Sequence, residues 1–342
     1  MRRAASLLTL GFLLQLLCFP APRMWGLANA GTGGNISGVV SDPSGAVIPG
    51  ASVKILNPVT GFQRTTTTDA AGHFAFSNVP LNNYHLTATE AGFAPIAHDV
   101  NVAGSVPVIA DLTMNLLAQS TTVTVTTDSG DLVNASPTTH TDVNMSLLPT
   151  LPTDDVSNGL SSAVTLATPG VAADSNGMFH PLGEHSDTTF SIDGQPISDQ
   201  QSRNFSNQLT ANAVQSIKVI NGMIPPEYGD KASIVVQTTT KSGLGDKHPT
   251  GDISASYGSF GTALADANLG IGTQRLGNFL DLNGMNSGRF LDTPEFTVMH
   301  AYGNNENFFD RVDFNPTAKD TLHLDMTAAR SWFQNPNQFD QQ

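Results

Sequence analysis

Hydrophobic and polar residues alternate along most of the chain, and between 36 and 102 the alternation falls into short runs. Apolar side chains recur at every second position of a run, and Gly, Pro, Asn and Asp separate the runs. Alternation with a period of two predicts strands with one buried face, and this spacing is typical of a β-sandwich. The runs are Ile36–Val40, Ala51–Leu56, Arg64–Thr68, His73–Phe76, Tyr84–Thr89 and Ile96–Val102. The first folded module is therefore predicted to be a sandwich.

Residues 244–342 also alternate, in runs closer to the ~10 residues of a barrel strand. The runs 252–257 and 263–271 place apolar residues on one face and polar residues on the other, with Leu264 as an exception. This pattern fits a soluble sandwich with one face in its core. It also fits a membrane barrel with one face in lipid and the other in a wet lumen. Alternation alone leaves both interpretations open. In the run 321–328 the apolar set is Leu322, Leu324, Met326 and Ala328, and the polar set is Thr321, His323, Asp325 and Thr327.

Composition and charge exclude several classes of protein. Only 13% of the residues are charged, roughly half of the ~25% usual for soluble domains. The formal net charge is −14, which leaves no basic surface for phosphate and excludes nucleic acid as a partner. A mean hydropathy of −0.09 excludes a polytopic helical membrane protein. The surplus of Thr, Asn, Ser and Gly is typical of strands and turns, in agreement with the alternation.

Residues 1–30 have the three parts of a secretory signal peptide. Arg2 and Arg3 form the basic start, an apolar run covers 4–19, and small residues at Ala28 and Ala30 fit a cleavage site. The run is shorter than the ~20 apolar residues of a membrane-spanning helix, so we expect a cleaved leader. The single cysteine lies inside the leader. A mature chain without disulfides favours a bacterial envelope protein over a small secreted eukaryotic domain.

Three turn-and-strand motifs of the first module resemble a known family. They are Gly38–Gly45 (GVVSDPSG), Pro49–Val53 (PGASV) and Thr68–Phe76 (TDAAGHFAF). In this order they resemble the carboxypeptidase regulatory-like domain, a transthyretin-like and carbohydrate-binding-like β-sandwich, which we place at 31–117. The glycines of these turns are expected to need positive φ. The resemblance does not imply a peptidase, because the chain has no zinc-ligand spacing such as H-E-x-x-H.

Five elements of the next segment, 118–243, occur in the order of a second family. They resemble the plug of TonB-dependent outer-membrane receptors, and with the preceding domain they resemble the Oar-like subgroup in particular. Lys218 departs from the pattern, since the family usually has an acidic residue there. The elements are Leu166–Val171, Ile192–Gly194, Ile217–Gly222, Tyr228–Gly229 and Thr239–Lys241.

The resemblance assigns structural positions, rather than ligands, within the plug. An alternating segment at the start of 118–243 stands where the family offers an extended strand to a periplasmic energy-coupling protein of the TonB type, by β-augmentation. An ordinary linker strand is the alternative for that segment. The turn and packing positions are Pro169, Gly170, Asp193, Gly194, Gly222, Tyr228, Gly229 and Lys241, and the segment is Thr122, Val123, Thr124, Val125 and Thr126.

The order of modules favours barrel strands for residues 244–342, because barrel strands follow the plug in this family. Gly258–Thr262 (GSFGT) resembles the first barrel hairpins of the subgroup. Such barrels close with about 22 strands, and roughly 100 residues supply about four to six, so we expect an N-terminal fragment with an incomplete barrel. The expected fold class is mainly β: an N-terminal transthyretin/Ig-like β-sandwich, a mixed α/β plug and the first strands of an incomplete transmembrane β-barrel.

The resemblance implies energised uptake of an unidentified ligand by a receptor in the outer membrane of a Gram-negative cell. The implied partners are the energy-coupling protein, outer-membrane lipid and a small or oligomeric ligand, with carbohydrate as one candidate. The alternative is a secreted or surface carbohydrate-binding or adhesion protein of β-sandwich modules. That alternative predicts a soluble sandwich over 118–342.

The residues show no constellation for catalysis, so we expect no enzyme, no cofactor and no metal. A G-x-S-x-G elbow and a phosphate-cradling glycine loop are both missing from the sequence. The densest group of potential ligands lies in a polar loop of the plug, and its spacing matches no zinc motif. That group is His180, Glu184, His185 and Asp187.

Overall fold

The computed structural model describes most of the chain from residue 33 onward. The described residues are 33–104, 106–117, 139–144, 160–173, 179–181, 188–197, 209–221, 224, 226–228, 233–246, 248–291, 297, 300–316 and 320–336. Within them lie three units that we call the sandwich (33–117), the central unit (139–246) and the meander (248–336). Strand residues dominate all three, so the expected mainly β fold is confirmed.

The sandwich packs two sheets face to face. One sheet has the order β4-β1-β7, with β8 also pairing with β1, and the other has the order β3-β2-β5-β6. The strands are β1 (Gly33–Ser41), β2 (Ser52–Leu56), β3 (Gln63–Thr67), β4 (His73–Pro80), β5 (Asn83–Thr89), β6 (Ile96–Asn101), β7 (Val108–Ile109) and β8 (Leu112–Thr113). The core between the sheets includes Ile36, Val40, Val53, Ile55, Phe74, Phe76, Tyr84 and Leu86.

The turns of the sandwich follow the chemistry expected from the sequence. Gly45 and Gly72 adopt φ of 86° and 71°, a region that costs glycine little. The carboxylates of Asp42 and Asp69 each accept backbone N–H groups of their own turns, at 2.8–2.9 Å. These local bonds fix the turns and therefore the strand register. The expected positive φ is confirmed at Gly45, Gly50 and Gly72, but it is wrong for Gly38, which lies within β1 and is not among the glycines with positive φ.

The central unit is a mixed sheet with one helix. Its sheet has the order β13-β12-β15-β14-β9, in which β12 and β15 are parallel and the other pairs are antiparallel. Helix α1 buries Leu160 and Val164 in the same cluster as Phe190 and Ile217 of the sheet. The elements are β9 (His140–Val143), α1 (Leu160–Ala167), β10 (Val171–Ala173), β11 (Phe179–Pro181), β12 (Thr188–Ile192), β13 (Gln195–Ile197), β14 (Val214–Asn221) and β15 (Ile234–Thr240). Strands β10 and β11 form a separate hairpin.

The meander is a single antiparallel sheet in sequence order. Each strand pairs with the next, and the last three strands are 12 residues long. Its strands are β16 (Ile253–Tyr257), β17 (Ala263–Gly272), β18 (Leu276–Ser287), β19 (Gly303–Phe314) and β20 (Leu322–Phe333). None of the helices in the described ranges is long and apolar enough to cross a membrane.

The two faces of the meander are inverted relative to those of a soluble sheet. One face carries buried polar groups, among them Asp281, Arg311 and Asp313, and lies against the central unit. The other face leaves large apolar side chains exposed, which are Ile253, Tyr257, Leu269, Ile271, Leu276, Leu282, Phe314, Leu322, Leu324, Met326 and Trp332. The alternative expectation of a soluble sandwich over 118–342 is therefore wrong for the described residues, because their apolar face covers no core.

A glycine in β1 provides a test of the sandwich packing. A Cβ on Gly38 would lie 2.0 Å from the carbonyl oxygen of Ala110, whereas one on Gly104 would meet nothing within 4 Å. We expect Gly38→Ala to lower the free energy of unfolding by about 1–3 kcal/mol, as overpacking does. The matched Gly104→Ala variant should stay within about 0.5 kcal/mol of the parent. Urea unfolding followed by circular dichroism measures both, and equal stability of the two variants would contradict the described packing.

Candidate functional site

The central unit and the meander meet along a seam that is apolar at two points and charged between them. Phe279 of β18 and Phe309 of β19 belong to the same buried cluster as Phe190 and Ile217 of the central unit. The two aromatic rings come from the meander face that carries Asp281, Arg311 and Asp313, and they seat the central unit on that face. Charged and hydroxyl groups of two modules meet along the seam, and we take it as the candidate site.

Arg311 lies at the centre of the seam with only 2% of its side chain exposed. Its Nη1 lies 3.1 Å from Asp193 Oδ1, and its Nη2 lies 2.8 Å from Asp313 Oδ1. Nε donates to the Asp313 carboxylate at 3.0 Å, so the guanidinium holds Asp313 with two nitrogens. The one cation thus bridges a carboxylate of the central unit and a carboxylate of its own strand.

Two hydroxyl groups complete this charge cluster, which we define as Asp193, Thr240, Ser242, Arg311 and Asp313. Thr240 Oγ1 donates to Asp193 Oδ2 at 2.6 Å and accepts from Arg311 Nη1 at 2.8 Å. The Thr240 N–H donates to Asp193 Oδ1 at 3.1 Å, and Ser242 Oγ donates to Asp313 Oδ2 at 2.6 Å. Such saturation is what a buried ion pair needs to offset the cost of leaving water.

Local sequence explains how the charges reach the seam. Asp193 and Gly194 form the two-residue turn between β12 and β13, with φ of 47° and 85°. An Asp-Gly pair with both φ positive is the preferred loop of a tight hairpin, and it presents Asp193 at the tip. Arg311 and Asp313 are two residues apart on β19, so their side chains share the face that meets the central unit.

A second polar contact lies next to the charge cluster. Thr210 Oγ1 donates to Asp281 Oδ2 at 2.6 Å, and Lys241 Nζ lies 5.9 Å from the centre of the Phe279 ring. Burial lowers the pKa of Lys241, and the nearby carboxylates of the meander, including Asp252, oppose that shift. The lysine is thus a second cation of the seam, contributed by the central unit, whereas Arg311 belongs to the meander. Its neighbours among the carboxylates are Asp252, Asp266 and Asp281.

The structure places some of the positions expected from the sequence and leaves others outside the described residues. Pro169 and Gly170 follow helix α1, and Gly170 has φ of 81°, as glycine often does after a helix. Tyr228 ends a short 3-10 turn, and its hydroxyl contacts Gln237 of β15. Lys241 directly follows β15. Outside the described residues lie Ala28, Ala30, Thr122, Val123, Thr124, Val125, Thr126, Gly222 and Gly229.

Sequence reasoning missed the ionic partners. Asp193 was expected only as a turn position, and the structure adds a buried charge contact to that role. Arg311 and Asp313 were not expected as site residues. Their alternation on one face was a usable signal, because a buried Arg requires a carboxylate nearby.

Within the described ranges, no group of three His, Cys, Asp or Glu side chains is arranged to hold a metal ion. Of the histidine-rich cluster, only His180 lies in those ranges.

Comparison with known proteins identifies the first module by sequence. Residues 35–115 match the family of carboxypeptidase regulatory-like domains, so the predicted resemblance of this module is confirmed. No curated protein matches the chain.

Solved structures similar to the chain include three receptors. A variant of the ferric enterobactin receptor PfeA from Pseudomonas aeruginosa, in complex with enterobactin, has 18% identity and a TM-score of 0.44 over 58% of this chain and 34% of its own. The siderophore receptor PirA from Acinetobacter baumannii has 20% identity and a TM-score of 0.45 over 56% and 31%. The alcaligin outer-membrane receptor FauA from Bordetella pertussis has 18% identity and a TM-score of 0.44 over 58% and 32%.

The chain spans about a third of the length of these receptors, with 34%, 31% and 32% of each covered. All three are receptors, the class that the plug motifs resemble. Their identities and TM-scores are too low to carry a functional assignment, which therefore has to come from the geometry of the chain itself.

The charge cluster gives a direct test of what holds the seam. We expect Arg311→Met to lower the free energy of unfolding by about 3–5 kcal/mol, because Asp193 and Asp313 would remain buried without their cation. The control is Arg330→Met on the same sheet, where the Glu306 partner lies 3.6 Å away and both side chains are about 60% exposed. Exposed pairs contribute at most about 1 kcal/mol. Urea unfolding of the purified protein in detergent compares the variants, and a loss of equal size would contradict a structural role for Arg311.

Proposed function

We propose that the chain is a TonB-dependent outer-membrane receptor that takes up a ligand under energy supplied from the periplasm. In this proposal the central unit is the plug, and the meander is part of a barrel wall. The carrying observation is the inverted meander, which combines an exposed apolar face with a buried ionic seam on the opposite side. PfeA, PirA and FauA are also receptors, but the proposal does not rest on their similarity to this chain.

The exposed face supports lipid contact on physical grounds. Its apolar side chains lie on the same face of all five strands, where the exposed Glu306–Arg330 pair interrupts them on β19 and β20. Water would disfavour a surface of this size, whereas the hydrocarbon of a membrane would not. The strand lengths of 12 residues in β18, β19 and β20 are sufficient to cross a bilayer at the tilt of a barrel strand.

The ionic seam supports a movable plug. The meander contributes Phe279 and Phe309 to the buried apolar cluster of the central unit, and the other contacts described above are hydrogen bonds, ion pairs and the contact of Lys241 with the Phe279 ring. A polar seam can exchange its partners for water when the plug shifts, whereas a continuous apolar core cannot do so without a large cost. Ligand binding that moves Asp193 away from Arg311 would therefore open a path along the wet face of the wall.

The partners and location follow from this role. We infer a periplasmic energy-coupling protein that binds the segment 122–126, an outer-membrane location after export by the leader, and an unidentified small or oligomeric ligand. Carbohydrate remains one candidate class of ligand. The proposed role is transport through movement of a segment, without bond chemistry, so we propose no enzymatic activity.

Adjacent residues of β20 test the wall directly. We expect a polarity-sensitive fluorophore to show blue-shifted emission when attached at Leu324→Cys or Met326→Cys, since both side chains lie on the exposed apolar face. Labels at His323→Cys and Thr327→Cys lie on the opposite face and should report water. Each variant carries Cys18→Ser, so that the label is unique, and is measured in lipid vesicles.

Lipid-bound quenchers should act on the first pair, and aqueous iodide should act on the second. Equal emission and equal quenching at all four positions would contradict the proposal. Recovery of the unlabelled protein in the culture supernatant, instead of the outer-membrane fraction, would favour the secreted adhesion alternative.

The energy-coupling segment has a separate test. We expect Val123→Pro to abolish copurification with the periplasmic domain of a TonB-type protein, because proline removes a backbone N–H needed for strand addition. Val123→Thr keeps the backbone and serves as the control. Equal capture of the two variants would show that 122–126 is an ordinary linker.

A further inference from the structure

The sandwich contacts the central unit through the segment Ser77–Asn82, which we call the docking segment, and through Arg64. Lys218 Nζ donates to the carbonyl oxygen of Leu81 at 2.7 Å, and Gln215 Nε2 donates to that of Asn78 at 3.0 Å. Asn82 Nδ2 donates to Asp142 Oδ2 at 2.8 Å. Lys218 and Gln215 belong to β14, and Asp142 belongs to the neighbouring edge strand β9. The docking segment therefore covers one face of two adjacent strands.

Arg64 fastens the docking segment from the side of the sandwich. Its Nη1 donates to the carbonyl oxygen of Ser77 at 2.6 Å, and its Nη2 donates to Gln215 Oε1 at 2.9 Å. Gln215 thus accepts from one residue of the sandwich and donates to another. In the docked position, residues of the sandwich therefore satisfy both ends of the Gln215 amide.

Charge adds to this contact at the opposite end of the segment. Burial lowers the pKa of Lys218, and the charge of Asp142 opposes that shift. Burial alone would raise the pKa of Asp142, but a hydrogen bond from His140 and the charge of Lys218 outweigh it, so the pKa lies below its ordinary value. The charge of Asp142 favours the ammonium form of Lys218, and an ammonium group makes a stronger hydrogen bond to a carbonyl oxygen than a neutral donor does.

One residue of the docking segment reaches the charge cluster itself. Asn78 adopts φ of 53° and donates from Nδ2 to the carbonyl oxygen of Thr240 at 3.2 Å. Thr240 is the residue whose hydroxyl lies between Asp193 and Arg311. The sandwich is thus a single hydrogen bond away from the ion pair that holds the central unit to the meander.

The character of this interface is polar throughout. The buried apolar cluster of the sandwich contains residues of 36–114 alone, and the cluster of the central unit includes none of them. A cavity of about 20 Å³ between the two, lined by Pro80, Asn82, Asp142 and Lys218, is large enough for about one water molecule. Polar interfaces between domains are those that separate and re-form most readily.

We propose that the sandwich is a releasable lock on the plug. Docked, its segment Ser77–Asn82 stabilises Thr240 in the position that joins Asp193 to Arg311; undocked, it leaves that ion pair free to exchange for water. The lock rests on the proposed function for its role in transport, but the contact itself can be tested without it. The partner surface is the face of β14 and β9 that carries Gln215, Lys218 and Asp142.

Hydrogen exchange of the full-length protein in detergent tests the lock. We expect Lys218→Glu to raise the exchange rate of the peptide 77–84 about tenfold, because a charge-assisted hydrogen bond is replaced by repulsion from the Leu81 oxygen. The rate should rise by a similar factor in the peptide 236–242, which contains the Thr240 amide that donates to Asp193. Lys54→Glu makes the same charge change at an exposed position of the sandwich and should leave both rates unchanged.

A second variant approaches the interface from the other side and leaves the plug sequence intact. Asn82→Asp places a carboxylate against Asp142 and should raise both rates, whereas Asn115→Asp, at an exposed position of the sandwich, should not. Faster exchange in 77–84 without any change in 236–242 would overturn the coupling to the ion pair. Unchanged exchange in both peptides would overturn the docking itself. The fluorophore measurements on β20 report the membrane wall independently, so either proposal can fail alone.

Discussion

A guanidinium group can leave water only where carboxylates and hydroxyls replace its hydration, and this requirement at Arg311 organises the seam of the molecule. The hairpin turn that carries Asp193, the end of β15 that carries Thr240, and β19 itself must all converge on one point. No single module can supply that environment. The orientation of the central unit on the meander therefore depends on the charge cluster, which stabilises the buried Arg311 only when all of its members are in place.

Local patterns in the sequence predicted the elements well, because the forces behind them act over a few residues. Period-two alternation located the strands of the sandwich, and the Asp193–Gly194 pair located a tight turn. The site was out of reach for the opposite reason. Asp193 and Arg311 are far apart in sequence, and nothing near Asp193 distinguishes a turn aspartate that faces solvent from one that binds a buried cation.

The unusual lysine of the plug resemblance acquires a physical reason. An acidic residue at Lys218 would face the carbonyl oxygen of Leu81, and two negatively polarised groups at that distance repel each other. A lysine there satisfies the carbonyl and Asp142 together. The hydrogen bond from Lys218 to the Leu81 carbonyl oxygen thus explains why a lysine replaces the usual acidic residue in a chain with a docked sandwich. The sequence of either module alone could not show this contact.

Strand β9 has a mechanical consequence. It lies at the edge of its sheet, pairs with β14 over only four residues, and carries Asp142, the partner of Asn82. Tension applied to the chain before His140 reaches this short ladder before it reaches the parallel pair β12 and β15 in the interior of the sheet. We therefore expect β9 to separate from β14 before the other strands when the chain is pulled. Its separation would remove the Asp142 carboxylate from Asn82 and so weaken the contact with the sandwich.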